Sequence, residues 1–148
     1  MFGRKEPQRA RVLLADDHLA VAEGLHAILE PEFDVIATVG DGHALVAAAA
    51  TLTPDVIVTD IAMPGLDGIA AAGEILRMHP TTRIVFVTVH NDAALLQKGL
   101  ATGALGYVLK LTAGEELVPA IHAVLQGQQH VSPLIGGRTM QVGDDRAE

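Results

Sequence analysis

Short apolar runs and longer mixed stretches take turns along the chain. Residues 11–15 (RVLLA), 33–39 (FDVIATV), 55–59 (DVIVT), 83–89 (RIVFVTV) and 105–109 (LGYVL) are dense in Val, Ile and Leu, and each is bounded by polar or turn residues. Apolar runs of this length suit strands covered on both faces, as in a parallel sheet, because no alternate polar side is left for water. Between them, 18–30, 41–51, 66–78, 92–102 and 113–126 are long enough for helices. Leu66, Ile69, Ala70, Ile75 and Leu76 are the apolar positions of the third. Leu117, Ala120, Ile121, Val124 and Leu125 fall on one stripe of the fifth, as a helix facing a core requires.

Boundary residues support these elements. Asp41 is placed to cap the second helix, and Thr112 with Glu115 has the spacing of a capping box for the fifth. Gly103 and Gly127 stand where helices stop, and Pro54 and Pro80 break the chain ahead of strands. Pro119 opposes the pattern: inside the fifth helix it removes a backbone donor and predicts a kink, at about 3 kcal/mol unless the bend is accommodated. Five strand–helix units predict an α/β, doubly wound, five-stranded parallel sheet of order 2-1-3-4-5, the flavodoxin-like arrangement, with a site at the carboxyl ends of its strands. Residues 1–10 read as a flexible leader, 11–127 as the domain, and 128–148 as a linker or tail.

Composition narrows the classes. The 148 residues are 49% hydrophobic and 19% charged, enough for a core in one ordinary domain. The net charge of −8 and the lack of any run of basic residues make this chain a poor candidate for DNA or RNA contact. There is no Cys, so neither a disulfide framework nor a thiolate metal site is expected. The longest apolar run, 44–50, is far short of a membrane span, and 12–15 is too short for a signal sequence. The expectation is a soluble cytoplasmic protein.

The predicted strand ends carry the chemistry. Strand 1 runs into Asp16 and Asp17, strand 3 into Asp60, strand 4 ends near Thr88, and Lys110 follows strand 5. The topology brings three carboxylates, a hydroxyl and an ammonium to one edge. Two like charges about 4 Å apart repel by roughly 4 kcal/mol at an effective dielectric of about 20. Such a cluster needs countercharge, and an oxygen-rich, half-open pocket suits Mg²⁺. Asp60 is then a carboxylate nucleophile of the aspartyl-phosphate kind, with Lys110 and the cation offsetting phosphoryl charge and Thr88 donating to a phosphoryl oxygen. Singly, each residue has a plainer account: Asp17 as a helix cap, Asp60 as turn chemistry, Thr88 as an ordinary strand residue, Lys110 as a solvated lysine. Their joint placement favours the site.

The runs VLLADDH, DVIVTDIAMPGLDG, VFVTVH and GYVLK, in this order and spacing, resemble the receiver domains of two-component response regulators over about residues 11–133. The stretch ELVPAIHAVLQGQQHVSP is similar to the fifth helix and exit of the NarL/FixJ subgroup, whose members usually carry a C-terminal helix-turn-helix domain. The resemblance implies that Asp60 is the phosphoacceptor and that Asp17 is the direct Mg²⁺ ligand, with Asp16 acting mainly through water. It implies that the Ala62 backbone carbonyl completes the ligation, that Lys110 pairs with the phosphoryl group, and that Thr88 and Tyr107 are the switch pair. It further implies a sensor histidine kinase as donor and a response of helix 4, strand 5 and helix 5. A homodimer on phosphorylation is also implied, with DNA reached only through an output domain; no helix-turn-helix fits in 136–148. Ala62 and His90 occupy the two positions that tune dephosphorylation. The chain departs from many members in having Leu111 after the lysine instead of Pro, and Val89 where a small residue is common.

Other signals weigh less. The seven histidines, His18, His26, His43, His79, His90, His122 and His130, show no tight metal-ligand spacing. His18 is expected as a solvated residue starting helix 1, although it adjoins the acidic pair. Gly40-Asp41-Gly42 lacks the third Gly of a dinucleotide fingerprint. A haloacid-dehalogenase-like phosphatase would need an acid two residues after the nucleophile, where Ala62 stands. A receiver-like interaction module without phosphorylation leaves the full set Asp16, Asp17, Asp60, Thr88 and Lys110 unexplained.

Overall fold

In this computed structural model, which describes residues 9–133 and 135, each predicted apolar run is a strand and each longer stretch a helix. The order is β1 (Arg11–Ala15), α1 (Leu19–Leu29), β2 (Asp34–Val39), α2 (Gly42–Leu52), β3 (Val56–Thr59), α3 (Gly68–Met78), β4 (Arg83–Thr88), α4 (Ala93–Ala101), β5 (Gly106–Leu109), α5 (Ala113–Leu125) and β6 (His130–Val131). All pairings are parallel, in the order β2-β1-β3-β4-β5-β6. The predicted order of the first five strands holds. The sixth strand lies in the stretch expected as linker, and pairs Gly106 with His130 and Tyr107 with Val131. Residue 134 and residues 136–148 of the expected tail lie outside the described residues, as do residues 1–8 of the expected leader. The leader's last two residues are tied down: Arg9 donates to the carbonyl of Phe33 and Asp34 N–H donates to that of Ala10.

Successive strand side chains point to opposite faces, and both faces are covered. Leu13, Ala15, Ile57, Phe86 and Tyr107 pack with Leu45, Ala49, Ala71, Ile75 and Leu96 of α2, α3 and α4. Val12, Leu14, Val56, Val58, Val85, Val87 and Val108 pack with Leu25, Leu29, Leu117, Ile121 and Val124 of α1 and α5. This two-sided burial is why the strand segments are apolar without alternation.

Several helix ends follow local chemistry. Asp41, Asp67 and Asp92 each accept a backbone N–H from the first turn of the helix they precede. Gly103 and Gly127 have positive φ, 102° and 79°, the left-handed stop that glycine adopts without strain. The Thr112–Glu115 box does not form. A 3₁₀ turn, Lys110–Thr112, runs straight into α5, and the Thr112 hydroxyl donates to the carbonyl of Leu109 instead. α5 continues through Pro119, which sits on the exposed side. The carbonyl that loses its donor, that of Glu115, belongs to an exposed residue, so water can satisfy it. Among the described residues no peptide bond is cis, the Lys110–Leu111 bond included. No helix among them is long and apolar enough to cross a membrane.

Candidate phosphoacceptor site

Parallel register builds the site. Ala15 pairs with Thr59, and Thr88 with Leu109. Asp16 and Asp60 therefore emerge side by side on neighbouring strands about 4.8 Å apart, and Lys110, which follows Leu109 two strands from β3, reaches them with its long side chain. Asp16 and Asp60 are buried there and Asp17 is exposed. Asp60 N–H donates to the Ala15 carbonyl at 3.0 Å, locking the two acidic segments together.

Asp60 is held at both oxygens. Oδ1 accepts the Ile61 N–H at 2.7 Å, and Oδ2 accepts from Lys110 Nζ at 3.0 Å. The loop beyond it is pinned by Gly68 N–H donating to Ile61 O at 2.7 Å. A Cβ at Gly68 would sit 2.0 Å from the Asp60 carbonyl oxygen, so only glycine lets α3 start this close to the acceptor. Lys110 Nζ also lies 2.9 Å from Asp16 Oδ2. Only the Asp60 contact has hydrogen-bond geometry; Asp16 Oδ2 is buried without a directed donor. Burial alone would depress the Lys110 ammonium, but pairing with Asp16 and Asp60 raises it above its ordinary value. The lysine therefore stays charged across the physiological range.

Asp16 Oδ1 accepts the His18 N–H at 2.9 Å. Asp17 thus does not cap α1; its Oδ1 lies 3.2 Å from His18 Nδ1. One ligand atom each from Asp16, Asp17, His18 and Asp60 falls within 4.8 Å of the others. The buried Asp16 oxygen without a directed donor, among three carboxylates, fits a hard divalent cation that takes oxygen ligands. His18 starts α1 with an exposed side chain, as expected, and its ring also lies within reach of this cluster. Its one sequence signal was adjacency to the acidic pair.

The other predicted residues lie around this centre. Thr88 is fully buried, and its Oγ1 accepts the His90 N–H at 3.1 Å. Tyr107 is fully buried too, and its hydroxyl donates to the His90 carbonyl at 2.9 Å. The two expected switch residues therefore converge on one peptide segment, which links β4 to α4. Burial, with a smaller push from the charge of Asp92, raises the Tyr107 phenol to about 12. Ala62 is exposed in the loop after Asp60, and the His90 side chain is exposed.

Comparison with known proteins agrees with this geometry. Residues 12–122 match the response regulator receiver domain. The chain is 39% identical over 122 residues to the transcriptional regulatory protein YxjL of Bacillus subtilis, covering 81% of this chain and 56% of that protein. It spans little more than half of that relative. Among solved structures, a LuxR-family two-component response regulator from Aurantimonas aligns with a TM-score of 0.82 at 37% identity, covering 86% of this chain and 93% of that one. The signal receiver domain of the response regulator NarL from Mycobacterium tuberculosis aligns with a TM-score of 0.77 at 30% identity, covering 82% of this chain and 100% of that one. Taken with the acidic edge at Asp60 and its lysine, these matches place the chain in the family of response-regulator receiver domains, of the NarL/FixJ-like kind.

Proposed function

We propose that Asp60 takes a phosphoryl group from the phosphohistidine of a sensor kinase, with Mg²⁺ held by Asp16, Asp17, Asp60 and the Ala62 carbonyl. The observation that carries this is Asp60 itself: a buried carboxylate with one oxygen on a backbone N–H and the other on Lys110, beside two further carboxylates. An Asp60 oxygen forms the O–P bond while the donor's P–N bond breaks, and the imidazole keeps the bonding pair and takes up a proton. Lys110, freed from the carboxylate oxygen it now holds, pairs with a phosphoryl oxygen. The bound cation would neutralise charge on the phosphoryl oxygens.

Thr88 reads the result. For its hydroxyl to reach a phosphoryl oxygen, the acceptor role toward His90 N–H must weaken, which loosens the same peptide segment that Tyr107 holds. The change would pass to α4, β5 and α5, and from there to a homodimer contact and a DNA-binding output domain outside this chain. Leu19, Val89 and Leu111 are 73%, 70% and 88% exposed. Leu19 opens α1, Val89 follows the last residue of β4 and Leu111 follows Lys110, so apolar surface lies on the segments that leave the carboxyl ends of these strands and suits a protein donor. Ala62 offers no polar side chain to hold an attacking water, which favours a long-lived adduct. A cytoplasmic setting follows from this partnership.

Acetyl phosphate with Mg²⁺ tests the reading by intact mass. One phosphoryl adduct is expected on the unaltered protein and none on Asp60→Asn. An unchanged adduct in the variant would falsify the assignment. Rapid repeated turnover of the donor would indicate a phosphatase instead, and no adduct at all an interaction module.

A further inference from the structure

The segment after α5 returns to the sheet at a particular place. Ser132 is 1% exposed, and it bonds β5 twice: its N–H donates to the Tyr107 carbonyl at 2.9 Å, and its Oγ accepts the Leu109 N–H at 3.0 Å. Tyr107 is the switch aromatic, and Leu109 is the residue before Lys110. β6 is only two residues long, and past the Ser132 amide the Leu109 N–H is met by a side-chain oxygen in place of a backbone carbonyl. The Ser132 side chain takes that position. Its hydroxyl proton is committed in turn, donating to Glu116 Oε1 at 2.8 Å, an oxygen that also lies 3.2 Å from His130 Nε2. Burial would raise the Glu116 carboxyl, but the bonds from Ser132 and His130 hold it below its ordinary value. Ile135, 1% exposed, belongs to the same buried cluster as Tyr107 and Leu109.

We infer that Ser132, oriented by Glu116, is a positioning residue for Lys110 in phosphoryl acceptance. A lysine reaching two carboxylates at 2.9 and 3.0 Å works through a long flexible stem, so its placement depends on where its own backbone is fixed. On the N-terminal side that fixing is the Leu109 amide, and Ser132 Oγ is its acceptor. Without the hydroxyl this buried N–H has no partner, the end of β5 shifts to find one, and Lys110 loses its aim at the phosphoryl group.

The inference rests on the phosphoacceptor reading, and the experiment separates the two. Initial rates of adduct formation with acetyl phosphate and Mg²⁺ are compared for the unaltered chain, Ser132→Thr and Ser132→Val. Thr and Val have nearly the same shape and differ by the hydroxyl. The Thr protein should stay within about two-fold of the unaltered rate, and the Val protein should fall about five-fold or more, the scale of one lost buried hydrogen bond. In a Lys110→Ala background the Thr and Val proteins should react equally, because an effect exerted through Lys110 has nothing left to act on. Glu116→Gln, which keeps an acceptor for the Ser132 hydroxyl, should be milder than Ser132→Val and provides the comparison where Val at 132 prevents folding. Equal rates for Thr and Val, or a Val defect that persists without Lys110, overturn the positioning role while leaving the acceptor assignment intact. No adduct on the unaltered chain overturns the acceptor assignment.

Discussion

Replacing Asp60 by asparagine tests whether the three carboxylates share one field. Asp60 Oδ2 is 3.0 Å from Lys110 Nζ, an attraction of about 5.5 kcal/mol at an effective dielectric of about 20. Against it, ligand oxygens of Asp16 and Asp17 lie within 4.8 Å of one on Asp60, two repulsions of about 3.5 kcal/mol each on the same footing. Solvent weakens the one from exposed Asp17, while removing a buried charge relieves its desolvation. The asparagine oxygen can still accept the Ile61 N–H, and Lys110 keeps Asp16 at 2.9 Å. Asp60→Asn should therefore raise metal-free stability by about 1 kcal/mol, or Tm by about 4 °C for a domain of this size. The gain should shrink in high salt, and shrink or reverse in saturating Mg²⁺, which stabilises the unaltered protein by binding its folded state. Thermal melts in chelator, in chelator with salt, and in Mg²⁺ decide it. A variant less stable than its parent in chelator at low salt refutes the shared field and returns Asp60 to the role of a turn residue.

Other expectations follow from single groups. Tyr107 is the one tyrosine and there is no tryptophan, so phenolate absorbance reports it alone. Its midpoint should lie near 12 in the folded protein, with stability present below the ordinary value of 10.0 and lost as pH rises toward 12; a midpoint near 10 contradicts its burial and its bond to His90. Glu116 has a lowered carboxyl pKa, so its contribution is present above its ordinary 4.5 and is lost as pH falls through the folded value. The Tm difference between the unaltered chain and Glu116→Gln should narrow on acidification from about pH 6 to about pH 3, and a constant difference counts against the Ser132–Glu116 bond. Calorimetric titration with Mg²⁺ should show a greater loss of affinity for Asp17→Ala than for Asp16→Ala, and equal or reversed losses overturn the assigned ligand roles. Beryllofluoride should alter hydrogen exchange across residues 90–126; a response confined to α1 and α2 contradicts the Thr88–Tyr107 switch.

Much of the site was legible in the chain because the fold is a repetition of local units. Strands buried on both faces need uninterrupted Val, Ile and Leu, so VLLA, VIVT and RIVFVT mark themselves, and the residue that ends each run is a strand-end residue. Parallel order then brings Asp16, Asp60, Thr88 and Lys110 to one edge with no further information. Local capping was less secure. Asp41 acts as its position suggests, whereas Thr112 does not, because Lys110–Thr112 is already helical and leaves no extended capping residue.

What the sequence determined by itself was therefore the alternation, the strand order and the convergence of charge, all consequences of periodicity and of parallel connection. What only the tertiary structure decided were contacts between segments far apart in sequence. His130–Val131 has no apolar run to mark it as a strand, and becomes one because the open edge of β5 supplies partners. Ser132 reaches Leu109 across 23 positions and Glu116 across 16. The shared hold of Thr88 and Tyr107 on His90 likewise exists only once β4 and β5 lie side by side. A polar residue in a polar stretch carries no local signal of burial. Its partners are set by which backbone groups the assembled sheet leaves unpaired.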